Sequence, residues 1–132
     1  MLLEWRKVTE QPLRIVGGDL DIGYLTAFHL PDIPVSLPLD EQNLAPWIDA
    51  ARIAREGMVI ACRRGYNVYH HYGCAHGRVV EEEQRIIKDK PNVRRIEFTM
   101  THSFFGAPDK TMLFLIYVVP PGGNALEVLR VR

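Results

Sequence analysis

An uninterrupted apolar run near the end of the chain constrains the fold more than any other feature. Met112–Val119 contains no charged side chain and is the longest apolar run in the sequence. It has the length of a strand and is far too short for a transmembrane helix. Because a strand that is apolar at every position has no face for solvent, we expect Thr111–Val119 to be a central strand, buried on both faces of a sheet.

Two further stretches alternate between apolar and polar residues, as half-buried strands do. Val93–Phe105 alternates over its whole length, which predicts a strand with one buried and one polar side. Leu20–Leu30 alternates in the same way, and Gly17-Gly18-Asp19 ahead of it has the composition of a turn. We therefore expect a hairpin over Leu13–Leu30. The other predicted strands are Leu2–Thr9, Met58–Cys62, Tyr66–Tyr72 and Ala125–Val131, with turns at Arg63-Arg64-Gly65, Gly106–Lys110 and Pro120–Asn124.

A proline-rich segment separates this hairpin from the first predicted helix. Pro31, Pro34 and Pro38 cannot donate to a sheet ladder, so we expect an extended connector or a sheet edge there. The following apolar residues recur at helical spacing and predict a helix that starts near Asn43–Ala45 and stops at Gly57. The residues on its apolar face are Leu44, Trp47, Ile48, Ala51 and Ala54.

A second predicted helix runs from about Gly77 to Lys90. Acidic residues cluster near its start and lysines near its end, as the helix dipole favours, and Pro91 stops it. Runs of strands broken by two helices are typical of the α+β class. We predict a single domain over residues 1–132, with a mostly antiparallel sheet of about six to eight strands and two helices packed on one face.

The overall charge excludes some classes of partner. The chain has 132 residues, with 16 basic and 16 acidic side chains and a formal net charge of zero. A nucleic-acid-binding protein would carry an excess of basic side chains, and such an excess is also what draws a protein to an acidic membrane. We therefore expect neither nucleic acid nor a membrane as a partner. The beginning of the chain has Glu4 where a secretory signal needs its apolar region, which favours a cytoplasmic location.

In that compartment the two cysteines are expected to be reduced thiols. A disulfide between Cys62 and Cys74 is not expected, because Cys62 would face Tyr66 in the predicted hairpin and Cys74 would lie beyond the paired region.

The stretch Tyr66–Gly77 (YNVYHHYGCAHG) concentrates groups that bind metals or move protons. It holds three of the five histidines and one of the two cysteines. His70, Cys74 and His76 supply imidazole and thiolate, which suit zinc, although their spacing matches no standard zinc pattern. The alternative is a strand end that carries structural histidines and a small buried thiol.

Histidine acid–base catalysis is a second hypothesis. Alternation places His70 and His102 on the apolar faces of their strands, where both could line one pocket and titrate near neutral pH. Cys74, just ahead of the second predicted helix, would join them as a nucleophile activated by the helix dipole. The alternative is that these histidines are core residues bonded to backbone. The residues expected to bind a small polar substrate around this pocket are Tyr66, Tyr72, Ser103 and Lys110.

A third hypothesis needs no catalysis. A small sheet domain can offer an edge or an apolar face to a second copy of itself, and Trp5 and Trp47 are residues of the kind that anchor interfaces. The sequence thus leaves three functions open. An enzyme that uses histidine acid–base chemistry on a small polar substrate is narrowly favoured, ahead of a homo-oligomeric interaction or assembly module and of a metal-binding protein without catalysis.

Overall fold

The computed structural model describes residues 1–18, 20–38, 45–64, 93–102, 105–106 and 110–122. These residues form three helices and five strands, and the class is α+β, as predicted. In chain order the elements are α1 (Leu2–Arg6), β1 (Ile15–Gly18), α2 (Leu20–His29), β2 (Val35–Pro38), α3 (Ala50–Glu56), β3 (Met58–Arg64), β4 (Arg94–His102) and β5 (Lys110–Val119).

The described strands make one mixed sheet in the order β2-β1-β3-β5-β4. β1 pairs in parallel with both β2 and β3, whereas β5 is antiparallel to β3 and to β4. Parallel neighbours need a crossover connection, which α2 supplies between β1 and β2 and α3 supplies between β2 and β3. The described sheet is therefore mixed rather than mostly antiparallel. It has five strands against the six to eight expected, and the predicted strands Tyr66–Tyr72 and Ala125–Val131 lie outside the described residues.

β5 confirms the interpretation of the apolar run. It lies between β3 and β4, and its residues from Leu115 to Val119 are buried. The predicted strand over Val93–Phe105 is also confirmed, as β4, and its register with β5 runs from Arg94 opposite Val118 to His102 opposite Lys110. The expected buried side of β4 is found only in part: Ile96 packs against a core cluster, whereas Phe98 and Met100 are 38% and 54% exposed.

Helices cover both faces of the described sheet. One core cluster contains Ile53 of α3 together with Ile15, Met58 and Tyr117. The other contains Trp5 of α1 and is completed by Leu13, Val16, Val59, Ile116 and Val118. The expectation that the two predicted helices pack on one face stays a prediction, because the helix from Gly77 to Lys90 lies outside the described residues.

The amino-terminal third departs most from the prediction. Leu2–Thr9, expected as a strand, contains helix α1, which buries Trp5 and lets its indole nitrogen donate to the carbonyl of Gln11 at 2.7 Å. Leu13–Leu30, expected as a hairpin, is strand β1 followed by helix α2. The reason is that Gly17-Gly18 ends a strand of the parallel sheet, so the chain must cross over as a helix before it can pair again.

The proline-rich segment forms a sheet edge, which is one of the two structures expected from the sequence. β2 runs from Val35 to Pro38 and is the outer strand beside β1 in the described sheet. Pro34 precedes the strand and Pro38 ends it, so neither proline interrupts its middle. A short strand bounded by prolines suits an edge because it offers few free donors to another chain.

Helix α3 ends where predicted and starts later. Its N-cap is Asp49, whose side chain accepts from the backbone N–H of Arg52 at 2.7 Å, and its C-cap is Gly57 with a φ of 69°. Pro46 and Trp47 form a turn ahead of the helix. Trp47, expected on the buried face, is 60% exposed, and Ile53 is the fully buried residue of α3.

The middle of the chain is described only in part. Arg63 and Arg64, expected in a hairpin loop, are the last residues of β3 and pair with Phe114 and Leu113. The predicted strands Tyr66–Tyr72 and Ala125–Val131 lie outside the described residues. Cys62 takes part in a disulfide bond, so the expected reduced thiol there is wrong. The one other cysteine of the sequence, Cys74, lies outside the described residues.

Gly57 generates the first prediction. A Cβ built there would lie 2.6 Å from the carbonyl oxygen of Val119 and 2.8 Å from the ring of Trp5, and its φ of 69° already disfavours any side chain. We expect Gly57→Ala to lower the free energy of unfolding by about 3 kcal/mol, from backbone strain and overpacking together. Urea denaturation would measure the loss.

Gly122 provides the matched control. Its φ of 76° is similar, but a Cβ there would meet nothing within 4 Å. Gly122→Ala should therefore cost only the left-handed strain, about 1 kcal/mol. Equal losses in the two variants would contradict the packing argument at Gly57.

Candidate functional site

Two of the predicted site residues become neighbours in the sheet. His102 is the last residue of β4 and Lys110 is the first residue of β5, and their Cα atoms are partners in the antiparallel register. The remaining residues of the expected catalytic pocket are not described: His70, Cys74, Tyr66, Tyr72 and Ser103. The acid–base enzyme therefore stays a prediction.

The hypothesis of a zinc site also stays a prediction. Within the described ranges, no three histidine, cysteine, aspartate or glutamate side chains are grouped so that they could hold a metal ion. The expected zinc ligands His70, Cys74 and His76 lie outside those ranges. The zinc site accordingly remains a hypothesis from the sequence.

Helix α2 has an unusual distribution of side-chain sizes. Gly23 and Ala27, its smallest residues, are buried, whereas Tyr24, Leu25 and Phe28 are 52%, 61% and 83% exposed. An ordinary surface helix turns its large apolar residues inward and its polar residues outward. Among the residues of α2 whose side chains the structure describes, the large apolar ones Tyr24, Leu25 and Phe28 are instead exposed.

Close packing on the sheet explains why the small residues face inward. A Cβ built on Gly23 would lie 2.8 Å from the hydroxyl oxygen of Ser36 on β2 and 3.9 Å from the carbonyl oxygen of Val16 on β1. The backbone of α2 therefore lies almost directly on the two strands that it connects. A helix at this distance has no room for a large side chain beneath it, and the large apolar residues must project elsewhere.

The turn after α2 carries a further exposed apolar residue, Ile33. Its backbone is tied to the helix, because the N–H of Ile33 donates to the carbonyl of Leu30 at 3.0 Å. Ile33 is 78% exposed and has a φ of 47°. A β-branched residue in the left-handed region is a backbone outlier that costs on the order of 1–3 kcal/mol. We call Tyr24, Leu25, Phe28 and Ile33 the α2 surface.

Asp32 holds this turn in place. Both of its carboxylate oxygens accept from Nη2 of Arg6 at 3.1 Å, and Oδ2 also accepts from the backbone N–H of Leu13 at 2.8 Å. The carboxylate thus ties the turn to α1 and to the segment that enters β1. Its side chain is only 13% exposed, so these contacts are shielded from competing water.

The α2 surface carries no formal charge. None of its four side chains is a lysine, arginine, aspartate or glutamate, and Arg6 and Asp32, beside the turn, pair with each other. Asp21 precedes Tyr24 by three residues and Leu25 by four, so helical spacing puts this acidic residue on the same side of α2.

A second exposed apolar area lies on β4. Phe98 and Met100 share a face of the sheet, and the Phe98 ring stacks on Phe114 at 5.2 Å with an interplanar angle of 11°. The same strand also carries Arg94, Arg95 and Glu97. β4 is the outer strand of the described sheet, and charged side chains along it discourage edge-to-edge pairing with another chain. Phe98 is partly covered by Phe114, so this area is less exposed than the α2 surface.

Comparisons of the chain with models of protein families, with curated proteins and with solved structures found no match. Among the described residues, none of the helices has both the length and the apolar character needed to cross a membrane. The assignment of a function therefore depends on the chemistry of the surfaces described above.

The local pattern of Leu20–Leu30 fits a helix and a strand equally well. Gly23 and Ala27 are four residues apart, so they lie on one side of a helix, and Tyr24 and Phe28 have the same spacing on another side. Reading Leu20–Leu30 with a period of two placed Tyr24 and Phe28 together as well, which made the strand interpretation self-consistent. The spacing of Gly23 and Ala27 did not distinguish the two interpretations either, because residues four apart share a face in a strand as well as in a helix.

The three contacts of Asp32 generate the second prediction. Asp32→Ala removes the acceptor for the buried Leu13 N–H as well as the ion pair, and we expect the free energy of unfolding to fall by about 1–3 kcal/mol. Urea denaturation at neutral pH measures the change. Asp32→Asn, which keeps an acceptor oxygen for Leu13, should cost less than the alanine variant.

Arg6→Ala separates the ion pair from the backbone contact. The Arg6 side chain is 42% exposed, so the pair with Asp32 is screened and its loss should cost less than about 1 kcal/mol. If Arg6→Ala and Asp32→Ala destabilise the protein equally, the bond from Leu13 is not what makes Asp32 important.

Proposed function

We propose that the protein is an interaction module that forms a homodimer through the α2 surface. The observation that carries the proposal is the outward placement of Tyr24, Leu25 and Phe28 above the inward Gly23 and Ala27. A helix that is apolar on its outer face as well as on its inner face is typical of a helix covered on both sides.

The size of the α2 surface supports a stable contact. At the observed exposures its four side chains present about 500 Å² of mostly apolar area, given that one aromatic side chain can bury 150–250 Å². An area of this size is comparable with the largest apolar patch on a typical monomer, which often has a function. Two copies face to face would bury about 1,000 Å², which reaches the lower limit for a specific interface.

A second copy of the chain is the occupant that the charges favour. The formal net charge is zero, so two copies approach without net repulsion. An uncharged surface is also compatible with a two-fold axis, where each residue type meets the same patch on the other copy. A lipid surface is less suitable, because membrane-bound helices carry lysine and arginine beside the apolar face and the nearby Arg6 is paired with Asp32.

This proposal has more support than the enzyme hypothesis that the sequence narrowly favoured. The catalytic hypothesis needs His70, His102 and Cys74 in one pocket, and His102 alone belongs to the described residues. The interaction hypothesis rests on described residues throughout.

Solution mass tests the proposal. The chain has a mass of 15.1 kDa, and light scattering should give about twice that value at high concentration, with dissociation on dilution. Phe28→Lys places a charge at the most exposed aromatic residue of the α2 surface. We expect it to weaken association by about 2 kcal/mol or more, roughly thirtyfold, with little effect on the fold because the side chain is 83% exposed.

Trp47→Lys is the matched control. Trp47 is an exposed aromatic residue, but it adjoins Ile48 in the core cluster on the α3 side of the sheet, away from α2. This variant should dimerise like the parent. A parent chain that stays monomeric over a wide range of concentration rejects the proposal, as does a Phe28→Lys variant that associates as tightly as the parent.

A further inference from the structure

We infer that Ile33 is an anchoring contact of the dimer, held in a strained backbone conformation so that its side chain meets the second copy. The inference rests on the proposed function, because it assigns a role within the α2 surface. Ile33 combines two properties that folding alone does not explain. It is 78% exposed, and its φ of 47° lies in the left-handed region.

Neither property benefits the isolated chain. An exposed isoleucine gains little from burial, and glycine or asparagine would adopt this φ with less strain than a β-branched residue. A strained residue persists where the surrounding structure determines it, and such residues cluster at sites of function. At this position the strained residue is also a large apolar one, which indicates that the side chain itself is needed.

The surroundings of Ile33 supply the restraint. The preceding residue, Asp32, accepts two bonds from Arg6 and one from the backbone of Leu13, and the N–H of Ile33 itself donates to Leu30. Two residues further on, the N–H of Val35 donates to the carbonyl of Arg14 and starts β2. The turn is therefore tied on both sides of Ile33, so the side chain is presented with little loss of freedom when a partner binds.

A second copy of the chain is the partner that this placement fits. Ile33 follows Phe28 by five residues, at the end of the helix that carries the other exposed apolar side chains. A two-fold contact between α2 helices would bring this helix end and its turn against the partner helix. Ile33 then adds an apolar contact at the border of an interface centred on Phe28.

Stability and association should respond in opposite directions when Ile33 is replaced. Ile33→Gly and Ile33→Asn remove both the strain and the apolar side chain. We expect each to raise the dissociation constant of the dimer about tenfold or more. Each should also raise the urea midpoint when compared in the Phe28→Lys background, where association does not contribute to stability. Ile33→Val keeps a β-branched apolar residue and should retain both the dimer and the lower midpoint.

The outcomes separate this inference from the proposed function. If Phe28→Lys disrupts the dimer and Ile33→Gly does not, the dimer stands and the role of Ile33 is rejected. If Ile33→Gly and Ile33→Asn give no gain in urea midpoint, the strain is absent and the inference is rejected. If the parent is monomeric throughout, the proposed function fails, and the inference fails with it.

Discussion

The contact of α2 with β1 and β2 is the constraint on which the described structure depends. Gly23 lets the helix backbone lie almost on the hydroxyl of Ser36, and Ala27 continues the close contact one turn later. This closeness allows a ten-residue helix to connect two short parallel strands of four residues each. It also leaves no space beneath the helix for large side chains. The packing that forms the parallel unit, β1-α2-β2, therefore places Tyr24, Leu25 and Phe28 outside.

The connection between α2 and β2 explains how the strained backbone of Ile33 is tolerated. After α2 the chain must reverse within a few residues to begin β2 opposite Ile15. Asp32 ties that reversal to Arg6 and Leu13, which belong to the segment leading into β1. One carboxylate therefore joins the amino-terminal helix, the entry to the sheet and the exit from α2. The left-handed φ of Ile33 is tolerated because these bonds determine the path on both sides of it.

The sequence predicted the carboxyl-terminal half of the described sheet better than the amino-terminal half. Met58–Cys62, Val93–Phe105 and Thr111–Val119 were predicted as strands, and the central position of the last followed from its uniform apolarity. Each of these strands has a clear local pattern of apolar residues, which is what the sequence could report. The pairing itself is not local: β3 pairs with both β1 and β5 at separations of more than forty positions, and no local pattern reports either pairing.

The misreading of Leu20–Leu30 has a specific physical cause. Periodicity identifies a helix when one side is apolar and the other polar, but α2 is apolar on its outer side too, so the helical period is weak. The outward apolar residues that make α2 a candidate site are also what weakens its helical period, so the site was missed. Helical spacing was also misleading at Trp47. This residue fits the apolar face of the predicted helix, yet it lies in the turn ahead of the N-cap Asp49 and is exposed.

The two exposed apolar areas differ in a way that bears on function. On β4, Phe98 and Met100 alternate with threonine and stand beside Arg94, Arg95 and Glu97, and Arg95 pairs with Glu97 at 2.8 Å. Alternation puts Arg95 and Glu97 on the face opposite Phe98 and Met100, so these charges hinder pairing at the edge of the described sheet but do not cover the apolar side chains. What distinguishes the two areas is exposure. The Phe98 ring stacks on Phe114 and is 38% exposed, whereas Phe28 is 83% exposed, and for this reason the proposed contact is placed on α2.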